Sequence, residues 1–122
     1  MDKIGIMKEK VYRLKKNKDF RRVYSKGRSF ADRRIIMYFF KNDREESRIG
    51  FSVSKKVGNA VIRNRTRRIL KEICRLNRSQ IKKGFDIIII ARPAIAGNTY
   101  REIEKSFFWL IKKSGLGAED LK

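Results

Sequence analysis

Lys55-Lys56-Val57-Gly58-Asn59-Ala60-Val61-Ile62-Arg63-Asn64-Arg65-Thr66-Arg67-Arg68-Ile69-Leu70-Lys71 places seven cations and no carboxylate in one short segment. Read as a helix opening near Asn59, its residues Ile62, Ile69, Leu70 and Ile73 fall on one side when each position advances by about 100°. That side predicts a contact with the core. On the same wheel Arg63, Arg67, Arg68, Lys71, Arg75 and Arg78 take the opposite arc, with Asn64 among them and Arg65 near one border. The ordinary reading of such a run is a solvated basic face. Exposed helices, however, usually carry carboxylates at i±4 from their cations, and only Glu72 is available here. A helix that is half apolar and half guanidinium is a surface for the phosphates of a polyanion.

Composition points the same way. The 122 residues fit one domain, 1–122, with a single modest core. Lys+Arg number 33 against 13 Asp+Glu, a formal net charge of +20 that costs the compact state self-repulsion. The charge therefore serves a partner, nucleic acid or an anionic membrane surface, and a hydrophobic fraction of 41% predicts a folded chain rather than a basic tail. Apolar runs such as Ile87 to Ala91 are far too short to span a membrane. Met1 to Lys8 lacks the continuous apolar core of a secretory signal, so residues 1–12 are expected to form a loose arm of a cytoplasmic protein. The single cysteine, Cys74, excludes an intrachain disulfide framework and is expected as a half-buried, inert thiol at the edge of the apolar stripe. The absence of histidine removes Ser-His and Cys-His hydrolysis and the usual zinc sites.

In chain order, Asn17 is a candidate N-cap for a helix over 18–26 that Gly27 closes, and Asp19 suits the helix dipole in its first turn. Phe20, Val23 and Tyr24 share one side of that helix; Val23 is expected in the core, and spacing leaves the two rings undecided. Ile35 to Phe40 predicts a strand with Tyr38 on the face of Ile36 and Phe40. Asn42 to Glu46 reads as a hairpin loop into a return strand, Arg48 to Ser54, in which Ile49, Phe51 and Val53 alternate with small or polar residues. The basic helix should stop between Asn77 and Gln80. Phe85 to Ala91, a continuous branched run, predicts a central strand buried on both faces. Thr99 and Glu102 match a capping box opening a last helix with a Tyr100, Ile103, Phe107, Leu110, Ile111 stripe, and residues 115–122 are expected to fray. Trp109 falls off that stripe and has no assigned role. The order is helix, two or three strands, basic helix, strand, helix, an α/β sandwich.

Ser52-Val53-Ser54-Lys55-Lys56-Val57-Gly58-Asn59-Ala60-Val61, followed by Arg63-Asn64-Arg65 and Arg67-Arg68, resembles the signature of the bacterial ribonuclease P protein component. Arg13-Leu14-Lys15-Lys16-Asn17, Asp19-Phe20, Val23, the strand with Tyr38 and Ile88-Ile89-Ile90-Ala91-Arg92 extend the resemblance over nearly the whole chain. It implies an α+β fold of order α-β-β-β-α-β-α, a two-layer sandwich on a small mixed four-stranded sheet, akin to a domain of a small-subunit ribosomal protein. The crossover through the basic helix would be left-handed, where the general rule for such units is right-handed. It further implies that a large partner RNA, ribonuclease P RNA, uses Mg²⁺ to cut the 5′ leader from precursor tRNA, while the protein binds both RNAs and is not itself catalytic. No protein-only metal site, small-molecule substrate or membrane enters that picture. Carried over to matching positions, Lys55, Lys56, Asn59, Arg63, Asn64, Arg65, Arg67, Arg68 and Lys71 would meet the catalytic RNA. Phe20, Tyr24 and Tyr38 would line a cleft for the single-stranded leader. Tyr24 stands where members of the family often have phenylalanine, a departure that preserves stacking.

Two rival readings remain open on residues alone. A ribosomal or general RNA-binding protein fits the charge and the aromatic strand equally well. A metal-dependent protein nuclease would need clustered acidic ligands, and Glu72, Asp86 and Glu102 come from separate elements.

Overall fold

Four successive isoleucines, Ile87 to Ile90, put branched side chains on both faces of any sheet they join. The structure, a computed structural model that describes residues 12–118, sets them in the middle of one. β5 (Phe85–Ala91) pairs antiparallel with β3 (Ile35–Lys41) and parallel with β4 (Arg48–Ser52). β2 (Arg28–Ala31) lies outside β3, and β1 (Tyr12–Arg13) runs parallel along the outer side of β4. The order β1-β4-β5-β3-β2 is thus the expected mixed four-stranded sheet with a two-residue strand added at one edge. Tyr12 is paired with Arg48, so the arm expected over 1–12 ends in a strand, and residues 1–11 lie outside the described residues.

One expectation fails at the Asn42 to Glu46 loop. It is not a hairpin turn, because β3 and β4 do not pair; β5 lies between them. The strand apolar on both faces takes the most buried slot, and its neighbours are displaced to either side. Asn42 shapes the loop instead, its amide donating to the Glu46 carbonyl and to Asp86, while its side-chain oxygen accepts from the Arg44 N–H.

α2 (Ala60–Leu76) and α3 (Tyr100–Ser114) cover one face of the sheet. Asn59 caps α2 as expected, accepting from the Ile62 N–H at 3.0 Å. Leu70 and Ile73 are fully buried, each worth about 1.5–3 kcal/mol. The buried arc is wider than the apolar residues alone imply. Thr66 joins it by donating its hydroxyl to the Ile62 carbonyl, and Cys74 lies wholly inside the core rather than half-buried at its edge. Burial pushes the Cys74 thiol well above its ordinary range. α2 ends at Leu76, and a short 3-10 turn over Arg78–Gln80 follows. α3 opens on the expected Thr99–Glu102 capping box. The segment after it does not fray at Gly115. Leu116 is buried, Gly117 bridges Ile81, and Lys82 and Ala118 N–H groups donate to the Leu116 and Gln80 carbonyls. Residues 119–122 lie outside the described residues.

The other face carries a smaller cluster, Leu14, Val23 and Ile88, beneath α1 (Asn17–Lys26). Asn17 is the first helical residue and Lys16 the N-cap, without a side-chain cap bond. What fixes α1 is an ion network. Arg48 binds wholly buried Asp86 through two bonds, Nε–Oδ1 at 2.9 Å and Nη2–Oδ2 at 2.6 Å, and its Nη1 lies 3.4 Å from Oδ2 of buried Asp19 on α1. The Asp86 hydrogen bonds hold the guanidinium pKa above its ordinary value. Asp19 is therefore an anchor between helix and sheet as well as a dipole partner.

Removing Arg48 would leave the Asp86 charge buried without its partner. Arg48→Ala is expected to lose about 3–5 kcal/mol of stability in urea unfolding. A loss under about 1 kcal/mol, the range of exposed pairs, would contradict this role.

Candidate nucleic-acid interface

α1 covers only part of its face, and what it leaves open is aromatic. Tyr38 and Phe40 alternate outward from β3, opposite Ile88 and Asp86 of β5, and Phe20 of α1 packs against the same cluster. Tyr24, 40% exposed, stands edge-on to Tyr38 with centroids 5.0 Å apart and an interplanar angle of 85°. Phe20 lies 6.4 Å from Tyr24. The three rings singled out by resemblance thus meet in one cleft with accessible edges and faces. Burial, then the neighbouring Tyr38, raises the Tyr24 pKa, which keeps its phenol neutral. Phe40 and Ile90 flank the Tyr38–Ile88 pair to either side along the strands. Their signal was the period-two alternation that already placed Phe40 beside Tyr38.

Backbone approach sets the depth of the cleft. A Cβ on Gly50 of β4 would come within 2.6 Å of Phe20 Cζ and 3.2 Å of Leu14 Cβ. Phe20 can lie down on β4 only because that position has no side chain. Gly27 likewise lets the chain leave α1 against β3, where a Cβ would meet the Phe39 carbonyl oxygen at 2.6 Å.

A basic recess adjoins α1, and none of the three rings lines it. Arg13, Lys15, Lys16, Lys18, Arg22 and Arg44 line a recess of about 280 Å³ at the start of α1, whose floor is the Asp19–Arg48 pair. This group was missed, although the cation density of 13–18 was visible in the sequence. Arg13 also reaches the other side of the sheet edge, with its guanidinium 5.8 Å from the Phe51 ring centroid. Partial burial first, then the Arg13 and Arg67 charges, lower the Lys71 pKa.

The basic residues of α2 do not all point alike. Asn64, Arg65 and Arg68 are exposed, whereas Arg63, Arg67 and Lys71 are half-buried on the flank. Arg67 donates to the Asn64 side chain at 3.1 Å and to the Val53 carbonyl at 3.4 Å. Arg65 turns toward α3, donating to the Asn98 carbonyl at 3.2 Å. Asn59 is committed to its cap, and Lys55 and Lys56 are exposed on the approach. Arg63 keeps a buried Nε without a hydrogen-bond partner among the described residues. Among the described residues no group of three or more potential metal ligands clusters, and no helix is long and apolar enough to cross a membrane.

Comparison with known proteins decides the family. The family model described as Ribonuclease P matches residues 7–115. The chain belongs to the ribonuclease P protein family. It is 53% identical over 104 residues to the ribonuclease P protein component of Alkaliphilus metalliredigens, covering 85% of this chain and 94% of that one. The solved ribonuclease P protein of Staphylococcus aureus superposes with a TM-score of 0.82 at 40% identity, covering 89% of this chain and 100% of that one. The Thermotoga maritima protein gives a TM-score of 0.77 at 31% identity, covering 83% and 96%. The α+β fold implied by the signature is the fold observed in these ribonuclease P proteins.

Gly50→Ala tests the geometry of the cleft directly. It is expected to displace Phe20, costing about 1–3 kcal/mol of stability as overpacking does, and to weaken binding of single-stranded RNA. Wild-type stability and binding would mean that Phe20 does not rest on β4.

Proposed function

We propose that this chain is the accessory protein subunit of a bacterial ribonuclease P endoribonuclease, acting in removal of the 5′ leader from precursor tRNA. The observation that carries this reading is the open sheet face, an aromatic cleft on a strongly basic chain, in a member of the ribonuclease P protein family. An unpaired strand fits such a cleft, because each base has a π-face for Phe20, Tyr24 and Tyr38, worth about 1–3 kcal/mol per stacked base. Arg13, Lys15, Lys16 and Arg22 line a basic recess on the same helix, a place for phosphates of the strand beyond the rings. A duplex offers no free base faces, so the cleft selects the single-stranded leader over the folded tRNA body.

The second surface docks the catalytic RNA. Arg68 and Asn64 project outward from α2, and Lys55, Lys56, Arg63, Arg65, Arg67 and Lys71 add charge around them. In this reading the bond is cut by the RNA, Mg²⁺ enters through the RNA, and the assembly works in the cytoplasm. Protein cations lower the repulsion between two polyanions, and the protein contributes positioning rather than a reacting group. A ribosomal-type role is not favoured, given the family.

Substrate discrimination tests the division of labour. Phe20→Ala and Tyr38→Ala are expected to weaken binding of leader-bearing precursor tRNA by the RNA–protein complex about tenfold while sparing mature tRNA. Arg65→Ala with Arg68→Ala should weaken assembly with the catalytic RNA instead, flattening its salt dependence. Equal losses for precursor and mature tRNA in the ring variants would overturn the leader assignment.

A further inference from the structure

Trp109 is the only tryptophan of the chain and stands half-exposed on the outer face of α3. Arg101, Lys105, Trp109 and Lys113 succeed one another at i, i+4, i+8 and i+12, all exposed, so they form one stripe along the helix. Lys113 Nζ lies 6.0 Å from the indole centroid, at the outer limit of a cation–π contact. Beside the stripe, the turn between β2 and β3 contributes Asp32, Arg33 and Arg34 to a recess of about 440 Å³ that Trp109, Lys105 and Ser106 also line.

The charges of this recess are unevenly committed. Asp32 accepts from the Arg34 and Ile35 N–H groups, and Glu102 accepts from the Thr99 N–H in the capping box, so both carboxylates serve the backbone. Arg34 donates to Asn98 at 2.7 Å and to Ser106 at 3.1 Å. Arg33 and Lys105 are exposed and make no hydrogen bond or ion pair among the described residues. What remains to meet a ligand is an indole face flanked by two uncommitted cations. An aromatic face with cations at its border matches a base with its flanking phosphates.

We propose that Trp109, Arg33 and Lys105 form a second single-strand RNA contact, in which an unpaired nucleotide stacks on the indole and its phosphates meet the two cations. α3 packs on the sheet face opposite the aromatic cleft, so the nucleotide held here is not one seated on Phe20 and Tyr38. The contact lets the protein hold an unpaired segment of RNA on its far side while the cleft is occupied.

Because no other tryptophan exists, indole emission reports this site alone. The protein is titrated with a short single-stranded oligouridylate, with the same strand annealed to oligoadenylate, and with an oligoglutamate peptide. Saturable quenching by the single strand only is expected. Arg33→Gln with Lys105→Gln should raise the half-saturation concentration about a hundredfold, about tenfold for each lost charge-assisted contact. Unchanged emission while a labelled strand binds, equal quenching by duplex or peptide, or wild-type affinity in the double variant would each overturn the proposal. The readout uses neither catalytic RNA nor precursor tRNA, so its outcome is independent of the leader assignment.

Discussion

The Arg48 guanidinium reaches in two directions, inward to Asp86 on the central strand and upward to Asp19 on α1. A carboxylate as fully buried as Asp86 is tolerable only with such a partner. Buried ion pairs of this kind add little net stability over a well-packed apolar substitute, but they define position sharply. Here the position is that of a ten-residue helix with few apolar residues of its own, Val23 being the one it buries completely. Held at one end by Asp19 and in the middle by Val23, α1 shields Ile88 and Leu14 and leaves Tyr38, Phe40 and Ile90 partly open. The cleft exists because the helix is fixed off-centre.

The charge imbalance follows the same economy. Many carboxylates are occupied within the fold: Asp19 and Asp86 with Arg48, Glu46 with Arg78 and Lys83, Glu72 with Arg75, Asp32 in a turn and Glu102 in a cap. Few are left to neutralise the cations on α2, in the recess at the start of α1 and along α3. A surface of this kind carries repulsion that a bound polyanion relieves, so assembly and stability are linked. Aromatic rings then add what charge alone lacks, a preference for unpaired bases over duplex.

Much of this was legible in the sequence because it rests on local periodicity. The α2 stripe, its Asn59 cap, the Thr99–Glu102 box and the doubly buried Ile87 to Ile90 strand are all written in spacings of two, three or four residues. Tyr38 and Phe40 on a common face follow from the same alternation. Long-range partners were not legible. Nothing near Asp19 in the chain announces Arg48 or Asp86, which lie 29 and 67 positions away. The Asn42 to Glu46 loop joins strands that are adjacent in sequence but not in the sheet, because β5 arrives later and inserts between them. Cys74 and Thr66 are buried because α2 is clasped by both the sheet and α3, a depth that a helical wheel does not encode. Gly50 acquires meaning only when Phe20 is seen above it, and Trp109 only when the β2–β3 turn brings Arg33 beside it.

Reconstitution tests the account most directly. Precursor tRNA is incubated at low Mg²⁺ with a bacterial ribonuclease P RNA alone, with this protein alone, and with both. Cleavage at the mature 5′ end only in the combined reaction is the predicted result, since the protein supplies charge and leader binding and the RNA supplies the reacting groups. Cleavage by the protein alone, or no gain over RNA alone while the protein still binds RNA, would contradict it.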